Sequence, residues 1–468
     1  MLFSSPPFVL FFAVYFALHL TLPARWRLGL IIVGSTVFYG YWNVYYVWVP
    51  HALMLVAYAG TLWMEKARDT PRHRRRLALV IFVLLIPLAG VKYTNFVYND
   101  VLGPLLGVHG RLSNLALPLG ISFVTFTMIA YVVDVYRGHY QVERNVSRLA
   151  GLILFFPHLI AGPILRPKDL LPQLSHTKSA WRKLGPRIVF GLAIFSLGLL
   201  KKLVLADPIS ESVDVVFNTN AAHSSAAYLL AIYGFAVQIY CDFSGYTDMA
   251  IGVAMMIGVH LPNNFLNPYT ATSIADFWRR WHISLSKWLR DYLYIPLGGN
   301  RGSRMRQTFN VLTTMTLGGL WHGANWTFII WGIFHGLGIA SVHALRNSVA
   351  ANFLGAVPKW IKVLITFHFV LIGWVLFRAP DMATAWRVLK GPFVAPSNDL
   401  LDFAARNAFP LALLVIFFLT HRWDNHRTVR RLASKTPMAV FWPVVVLVWI
   451  LAITVSAGSS AKFIYFDF

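Results

Sequence analysis

The 468-residue chain is 57% hydrophobic and only 13% charged, against the roughly 25% charged residues of ordinary soluble domains, which excludes a soluble globular enzyme and points to a bilayer protein. Its formal charge of +23, from 41 Lys and Arg against 18 Asp and Glu, does not imply nucleic acid, because the positive residues gather between apolar runs, as in the cytoplasmic loops of membrane proteins. The single cysteine, Cys241, excludes an internal disulfide and a Cys-rich metal site.

Apolar runs occur at Phe8–Leu22, Leu28–Trp48, Leu77–Leu88, Leu149–Ile164, Ile188–Val204, Ala226–Ile239, Ile361–Phe377, Pro410–Leu419 and Met438–Val455. Several approach the ~20 residues that span ~30 Å of hydrocarbon. They predict an all-α polytopic membrane protein with about 10–12 spans, counting Leu229–His260 and Val311–Leu345 as one kinked helix or two each. The first run lacks a basic n-region and a small-residue cleavage site, so it reads as a retained span rather than a signal peptide. Lys66, Arg68, Arg72, Arg74, Arg75 and Arg76 mark one cytoplasmic loop, and Arg422, Arg427, Arg430, Arg431 and Lys435 a second. No Lys or Arg precedes Arg25, which puts the N-terminus outside and the Arg25/Arg27 turn inside. No fixed-period repeat, low-complexity tract or long linker is present.

The longest polar stretch, Leu261 to Gln307, is rich in Trp and Arg rather than Ser and Gly. Ser273-Ile-Ala-Asp276 matches a capping box and predicts a helix over Ile274–Leu293. Its Phe277, Trp278, Trp281 and Trp288, mixed with Arg279, Arg280, Lys287 and Arg290, suit an interfacial helix in the headgroup layer. Pro296, Gly298 and Gly299 stop it. The next helix begins near Gln307 and, if straight, carries His322 about 22 Å along its axis, unless Gly318 and Gly319 break it.

An ionisable side chain inside a membrane is a candidate functional group, although buried polar groups also tie helices together. Of the sixteen histidines, His73, His176, His421 and His426 fall in polar loops, and His51, His109, His139 and His223 at span ends. His322 stands in Gly319-Leu-Trp-His-Gly-Ala-Asn-Trp326, where small residues admit a thin substrate and aromatics can wall a passage. On a continuing helix Asn325 and Trp326 share its face. The alternative is a histidine bonded to a neighbouring helix. His282, in Trp278-Arg-Arg-Trp-His-Ile-Ser-Leu-Ser286, has Arg279 and Ser286 at helical spacing, and taken alone it is an interface histidine as readily as a catalyst. His335 is turned about 220° from His322 around a straight helix, so it is read as structural, with His343 and His368.

Asp134, Asp242 and Asp248 lie among apolar residues and need partners, with Arg137, Lys201, Lys202 or the arginines of the capped helix available. Structural ion pairing is the expected role. No P-loop, Gly-x-Ser-x-Gly elbow, His-Glu-x-x-His or paired-Cys motif occurs, so chemistry rests on histidine.

Several segments in order resemble the membrane-bound O-acyltransferase (MBOAT) family, in its bacterial branch that O-acetylates exported polysaccharides such as alginate. They are Met1-Leu-Phe-Ser-Ser5, Leu117-Pro-Leu-Gly-Ile-Ser-Phe123, Asp134-Val-Tyr-Arg-Gly138, Phe156-Pro-His-Leu-Ile-Ala-Gly-Pro163, Gln238 to Met249, Asp276-Phe-Trp-Arg-Arg-Trp-His-Ile-Ser284, Trp321-His-Gly323 and Phe463-Ile-Tyr-Phe-Asp-Phe468. Each is weak alone; together they are specific. Cys241 departs from the larger residue, often Phe, expected before Asp242.

The resemblance implies a helical core around a transmembrane tunnel within one membrane domain, 1–468. Its parts are peripheral N-terminal spans over about 1–110, a catalytic core over about 111–380 and C-terminal spans over about 381–468. It carries the catalytic role onto His322 and that of the second polar residue, an Asn, Asp or His, onto His282. Trp321, Asn325, Trp326, Trp281 and Ser286 become substrate- or tunnel-lining residues, Arg279 and Arg280 donor-side basic residues, and Asp242, Asp248 and His335 structural polar groups. No bound cofactor or metal is expected. The implied reaction takes acetyl from a cytoplasmic donor, acetyl-CoA, across a bacterial inner membrane. A periplasmic acetyltransferase partner then acetylates an exported polysaccharide, alginate or cellulose-like. His322 acts as general base, with burial favouring its neutral form, and His282 polarises the acyl carbonyl or orients the donor. Two alternatives remain: a polymer or solute transporter or export channel, whose sites also use broken helices and buried Asp, and an O-acyltransferase with a lipid or peptidoglycan acceptor.

Overall fold

The computed structural model describes residues 1–107, 110, 117–175, 184–346, 355–397, 399–456 and 463–464; among them every regular element is helical. His109, His176 and the end of the closing motif, 465–468, lie outside the described residues.

Among the described residues six helices are long and apolar enough to cross a membrane: Val44–Glu65, Leu184–Phe217, Ser225–Met256, Trp326–Leu345, Lys359–Arg378 and Met438–Ser456. Two bent pairs, Arg72–Lys92 with Thr94–Leu106 and Leu400–Arg406 with Ala408–Trp423, raise the number to eight among the described residues. Pro6–Thr21 and Ile121–Tyr136 are shorter apolar helices. Two of the apolar regions take forms that hydropathy alone does not decide. Leu229–His260 belongs to one helix, Ser225–Met256, rather than two. The run Leu149–Ile164 is divided into two short helices, Val146–Ile153 and Phe156–Leu159, by the turn before Pro157. From Leu149 to Leu159 every residue is buried, so this apolar character serves packing rather than crossing.

The described chain forms two compact units. The first joins Met1–Phe195 with Met249–Pro262 and contains α1 (Pro6–Thr21), α2 (Arg27–Gly40), α3 (Trp48–Glu65), α4 (Arg72–Lys92), α5 (Ile121–Tyr136) and most of α6 (Leu184–Leu200). Two of the sequence motifs meet there. Gly120 enters α5 at φ +70°, a left-handed conformation that glycine adopts without a Cβ penalty. A side chain at that point would press on the Leu159 carbonyl and the Ile160 backbone. The Phe156 ring stands edge-on to Phe11 and Tyr15 at 5.4 and 5.2 Å, and its N–H donates to the Ser35 hydroxyl at 3.0 Å. His158 is held by the Leu152 carbonyl at 2.7 Å.

The second unit joins Ser196–Asp248 with Asn263–Phe468. It holds α7 (Asp207–Phe217), most of α8 (Ser225–Met256), α9 (Ile274–Arg280), α10 (Ile283–Leu289), α11 (Arg304–His322), α12 (Trp326–Arg346), α13 (Lys359–Arg378), α14 (His426–Lys435) and α15 (Met438–Ser456). Its central feature is the hairpin of α11 and α12. A Cβ on Gly319 would overlap the Phe328 carbonyl, and one on Gly332 the Met315 carbonyl. Small residues thus bring the two backbones together, as small-residue interfaces do between membrane helices.

Candidate active site

His322 is the last residue of α11. The Ser303 side chain caps that helix by accepting from the Arg306 N–H, and 19 residues run on without interruption, so Gly318 and Gly319 do not break it. At ~1.5 Å per residue His322 ends about 27 Å from the first turn. The helix stops because Gly323 is extended, at φ −158° and ψ 148°. Any residue can take that conformation, but a Cβ there would overlap the Phe328 ring. The buried His322 imidazole stands edge-on to Trp321, Trp331 and Phe377, with centroids 4.9, 5.2 and 5.2 Å away.

His282 arrives differently. The expected cap is present, since Ser273 accepts from the Asp276 N–H at 3.2 Å. The Asp276 carboxylate reaches back to the Thr272 N–H at 3.3 Å. The helix predicted over Ile274–Leu293 does not, however, run through. It stops at Arg280 and restarts at Ile283, with His282 between at φ +41°. That break corrects the expectation that Arg279 and Ser286 share its face. The Asn264 carbonyl accepts from the Ile283 N–H at 2.9 Å, and the Asn264 side chain accepts from the Ser284 N–H and hydroxyl at 3.0 and 2.9 Å. The Leu266 N–H bonds the Arg280 carbonyl. An extended strand of chain thereby satisfies the amides that the break exposes. His282 is fully buried, 4.7 Å from Phe243 and 6.3 Å from Trp321 by ring centroid. It lies between the spans, and burial pushes its imidazole down to about 3, so it is neutral at physiological pH.

The Trp321 indole touches both histidines. A second indole, Trp331, touches both His322 and His335, at 5.2 and 4.8 Å. His322 and His335 sit on different helices, so the angle around one straight helix does not relate them. His335 accepts from Trp278 Nε1 at 3.3 Å and occupies the space left by Gly373, where a Cβ would lie 2.6 Å from its Nε2.

Because α11 ends at His322, Asn325 and Trp326 do not continue its face. Asn325 caps α12 by accepting from the Thr327 N–H and donates to the Pro380 carbonyl at 2.7 Å. Trp326 is 47% exposed. Trp281 is buried against Trp374 at 4.7 Å and Phe265 at 5.1 Å. Ser286 donates to the Trp281 carbonyl. Arg280 pairs with Asp276 at 3.1 Å, while the exposed Arg279 lies 3.9 Å from the same carboxylate.

The buried carboxylates find their partners within this unit. Lys201 bridges Asp248 and Asp424 at 2.7 and 2.6 Å, and Lys202 bridges Asp207 and Asp242 at 2.7 and 2.8 Å. His426 reaches Asp248 at 2.7 Å, and Asp242 also accepts from the Ile464 N–H at 2.6 Å. The lysines, rather than Arg137 or the arginines of the capped segment, supply the charge for Asp242 and Asp248. Both lie on a π-helical turn, Lys201–Ala206.

Residues that the sequence reading passed over also build this site. Asn264 fixes the backbone around His282, Phe243 packs on its ring, and Trp331 joins His322 to His335. Asn264 carried a signal as an Asn in Leu261-Pro-Asn-Asn-Phe265 just before a turn, and Phe243 lies within the Gln238–Met249 segment.

The membrane-bound O-acyltransferase family model matches residues 145–379, a span that contains His282 and His322. The chain is 42% identical to the probable alginate O-acetylase AlgI of Azotobacter vinelandii, over 90% of this chain and 84% of that one. It is 35% identical to the peptidoglycan O-acetyltransferase of Helicobacter pylori, over 84% and 79%. It is 29% identical to the teichoic acid D-alanyltransferase of Bacillus subtilis, over 58% and 70%. With its all-helical membrane architecture and two buried histidines sharing one indole, the chain belongs to the membrane-bound O-acyltransferase family and is an O-acyltransferase.

Proposed function

We propose that the chain takes acetyl from a cytoplasmic donor, acetyl-CoA, and passes it across the bacterial inner membrane for O-acetylation of an exported polysaccharide, alginate or cellulose-like, together with periplasmic acetyltransferase partners. The observation that carries this reading is the contact of Trp321 with both His322 and His282. A flat aromatic wall between two buried imidazoles suits a thin acyl group and excludes water from it.

In the proposed step His322 takes the proton of the acceptor hydroxyl as its oxygen attacks the acetyl thioester carbonyl. The tetrahedral intermediate collapses, the thiolate leaves, and His322 returns the proton to it. His282, neutral at physiological pH, donates an N–H toward the developing oxyanion. Trp321, Trp281, Ser286, Asn325 and Trp326 are the residues assigned to the substrate path, with Arg279 and Arg280 on the donor side. The relatives named for alginate, peptidoglycan and teichoic acid support a polymer acceptor. The Helicobacter relative favours peptidoglycan as the second choice.

Acetyl-ester content of the exported polymer, compared between cells with the wild-type protein, with His322→Ala and with none, tests the assignment. The His322→Ala cells should match the null. Wild-type acetylation in them, with the variant present at normal level, rejects the reading in favour of transport.

A further inference from the structure

A cavity of about 300 Å³ opens among α10, α11 and α12, roughly ten times the ~30 Å³ that a water molecule occupies in the liquid. Leu289, Val311, Met315 and Ile339 make its walls apolar. Besides the Trp278 indole, which donates to His335, and the His343 imidazole, its polar groups are of two kinds. The hydroxyls already donate elsewhere: Ser286 to the Trp281 carbonyl, Thr314 to the Asn310 carbonyl at 2.7 Å and Tyr294 to Asn300 at 2.7 Å. The charged groups at its edge, Arg279, Lys287 and Arg290, are all positive, and among the described lining residues there is no carboxylate. Behind the edge, Asp276 lies 3.9 Å from Arg279 and Asp291 lies 2.6 Å from Arg290. Lys287 is exposed.

We infer that this cavity is the seat of an anionic phospholipid, with an acyl chain in the apolar recess and the phosphodiester at Lys287 and Arg290. A nucleotide or sugar would bring polar groups to walls whose hydroxyl protons are committed, and would lose the hydrogen bonds it makes in water. A hydrocarbon chain needs none. Long basic side chains cover apolar surface while their heads meet phosphate, and a chain with six to eight candidate spanning helices among its described residues is surrounded by lipid. Arg279 and Ser286, assigned above to the donor side and the substrate path, border the cavity, and the lipid site is built on the residues beside them.

The test is lipid retention by the full chain purified from nanodiscs of phosphatidylcholine mixed with phosphatidylglycerol, read by native mass spectrometry. The wild type should retain phosphatidylglycerol preferentially, and Lys287→Gln/Arg290→Gln should lose that preference by about tenfold or more. Ile339→Trp, which fills the recess and leaves the charges, should lose retention of both lipids, so the result does not depend on one variant folding. Equal retention of the two lipids by the wild type, or phosphatidylglycerol retention unchanged in both variants, overturns the proposal. So does displacement of the lipid by inorganic phosphate or free coenzyme A, which would assign the cavity to a water-soluble anion.

Discussion

The Asn264 carboxamide oxygen accepts both the N–H and the hydroxyl of Ser284, two positions beyond His282. All three residues are buried, so the pair acts as one clamp on the turn that presents the histidine. Asn264→Ala strands two buried donors, at ~1–3 kcal/mol each, whereas Ser284→Ala loses the hydroxyl bond alone. The double variant should therefore cost less than the sum of the singles. Thermal unfolding of the three proteins checks this, and strict additivity would show that the two residues act independently.

His282 occupies φ +41°, where a non-glycine residue is disfavoured by about 1–2 kcal/mol and Asn is among the residues that tolerate it. His282→Asn should keep more acyl-transfer activity than His282→Ala, because Asn fits the backbone and retains an N–H donor. His282→Gly separates the two contributions. It relaxes the backbone, so a protein that unfolds no earlier than the alanine variant but transfers as little places the requirement in the ring rather than the turn.

His322 and His335 flank the same indole, Trp331, and should respond differently to removal. General-base assistance is typically worth ~10²–10⁴-fold, so His322→Ala should lose about that much transfer rate while inserting and purifying normally. His335→Ala should lower the unfolding temperature first, since it strands the Trp278 N–H and leaves a hole beside Gly373. Rate and unfolding temperature measured on both variants decide the matter. A fast, well-folded His322→Ala protein would falsify the catalytic assignment.

Lys202 sits between Asp207 and Asp242 with only 5% of its side chain exposed. Breaking a buried ion pair from one side costs about 3–5 kcal/mol, largely because the abandoned charge stays buried. Lys202→Met should therefore lower yield and stability sharply. Neutralising the carboxylates as well, in Lys202→Met/Asp207→Asn/Asp242→Asn, should recover much of the loss. If the triple variant is the worst, the lysine is not acting through these carboxylates.

The positive-inside rule predicts the orientation from the basic clusters. A reporter active only in the cytoplasm should function when inserted within Ala67–Arg76 and within Arg422–Lys435, and neither segment should react with an impermeant label added from outside. Labelling of either one reverses the assigned topology.

Much of this was legible in the sequence because membrane chemistry is written locally. Apolar runs gave the helices, Ser273 gave its cap, and the Gly-Trp surroundings of His322 separated it from most other histidines. Where the reading failed, the cause lay in partners distant along the chain. The break at His282 is stabilised by Asn264, a contact that helical periodicity cannot register. The apolar run beginning at Leu149 packs inside its unit instead of crossing, which depends on what surrounds it. The glycine at position 323, where α11 ends, is required by the bulk of Phe328 rather than by its backbone conformation. Lys201 and Lys202 could be offered as counter-ions, but their pairing rests on which carboxylates the π-helical turn brings within reach.

Lys201 also imposes an order on biogenesis. Asp424 is made roughly 220 residues after its lysine, a delay of about ten seconds to most of a minute at ~5–20 residues per second. A growing chain therefore holds an ammonium in an apolar helix with Asp248 alone as its partner, the second carboxylate not yet having left the ribosome; an unpaired lysine at the centre of a spanning helix would disfavour insertion by ~2.5–3.5 kcal/mol. Chains that stop short of Asp424 keep Lys201 paired with Asp248 alone, and lose the share of stability that the second carboxylate supplies.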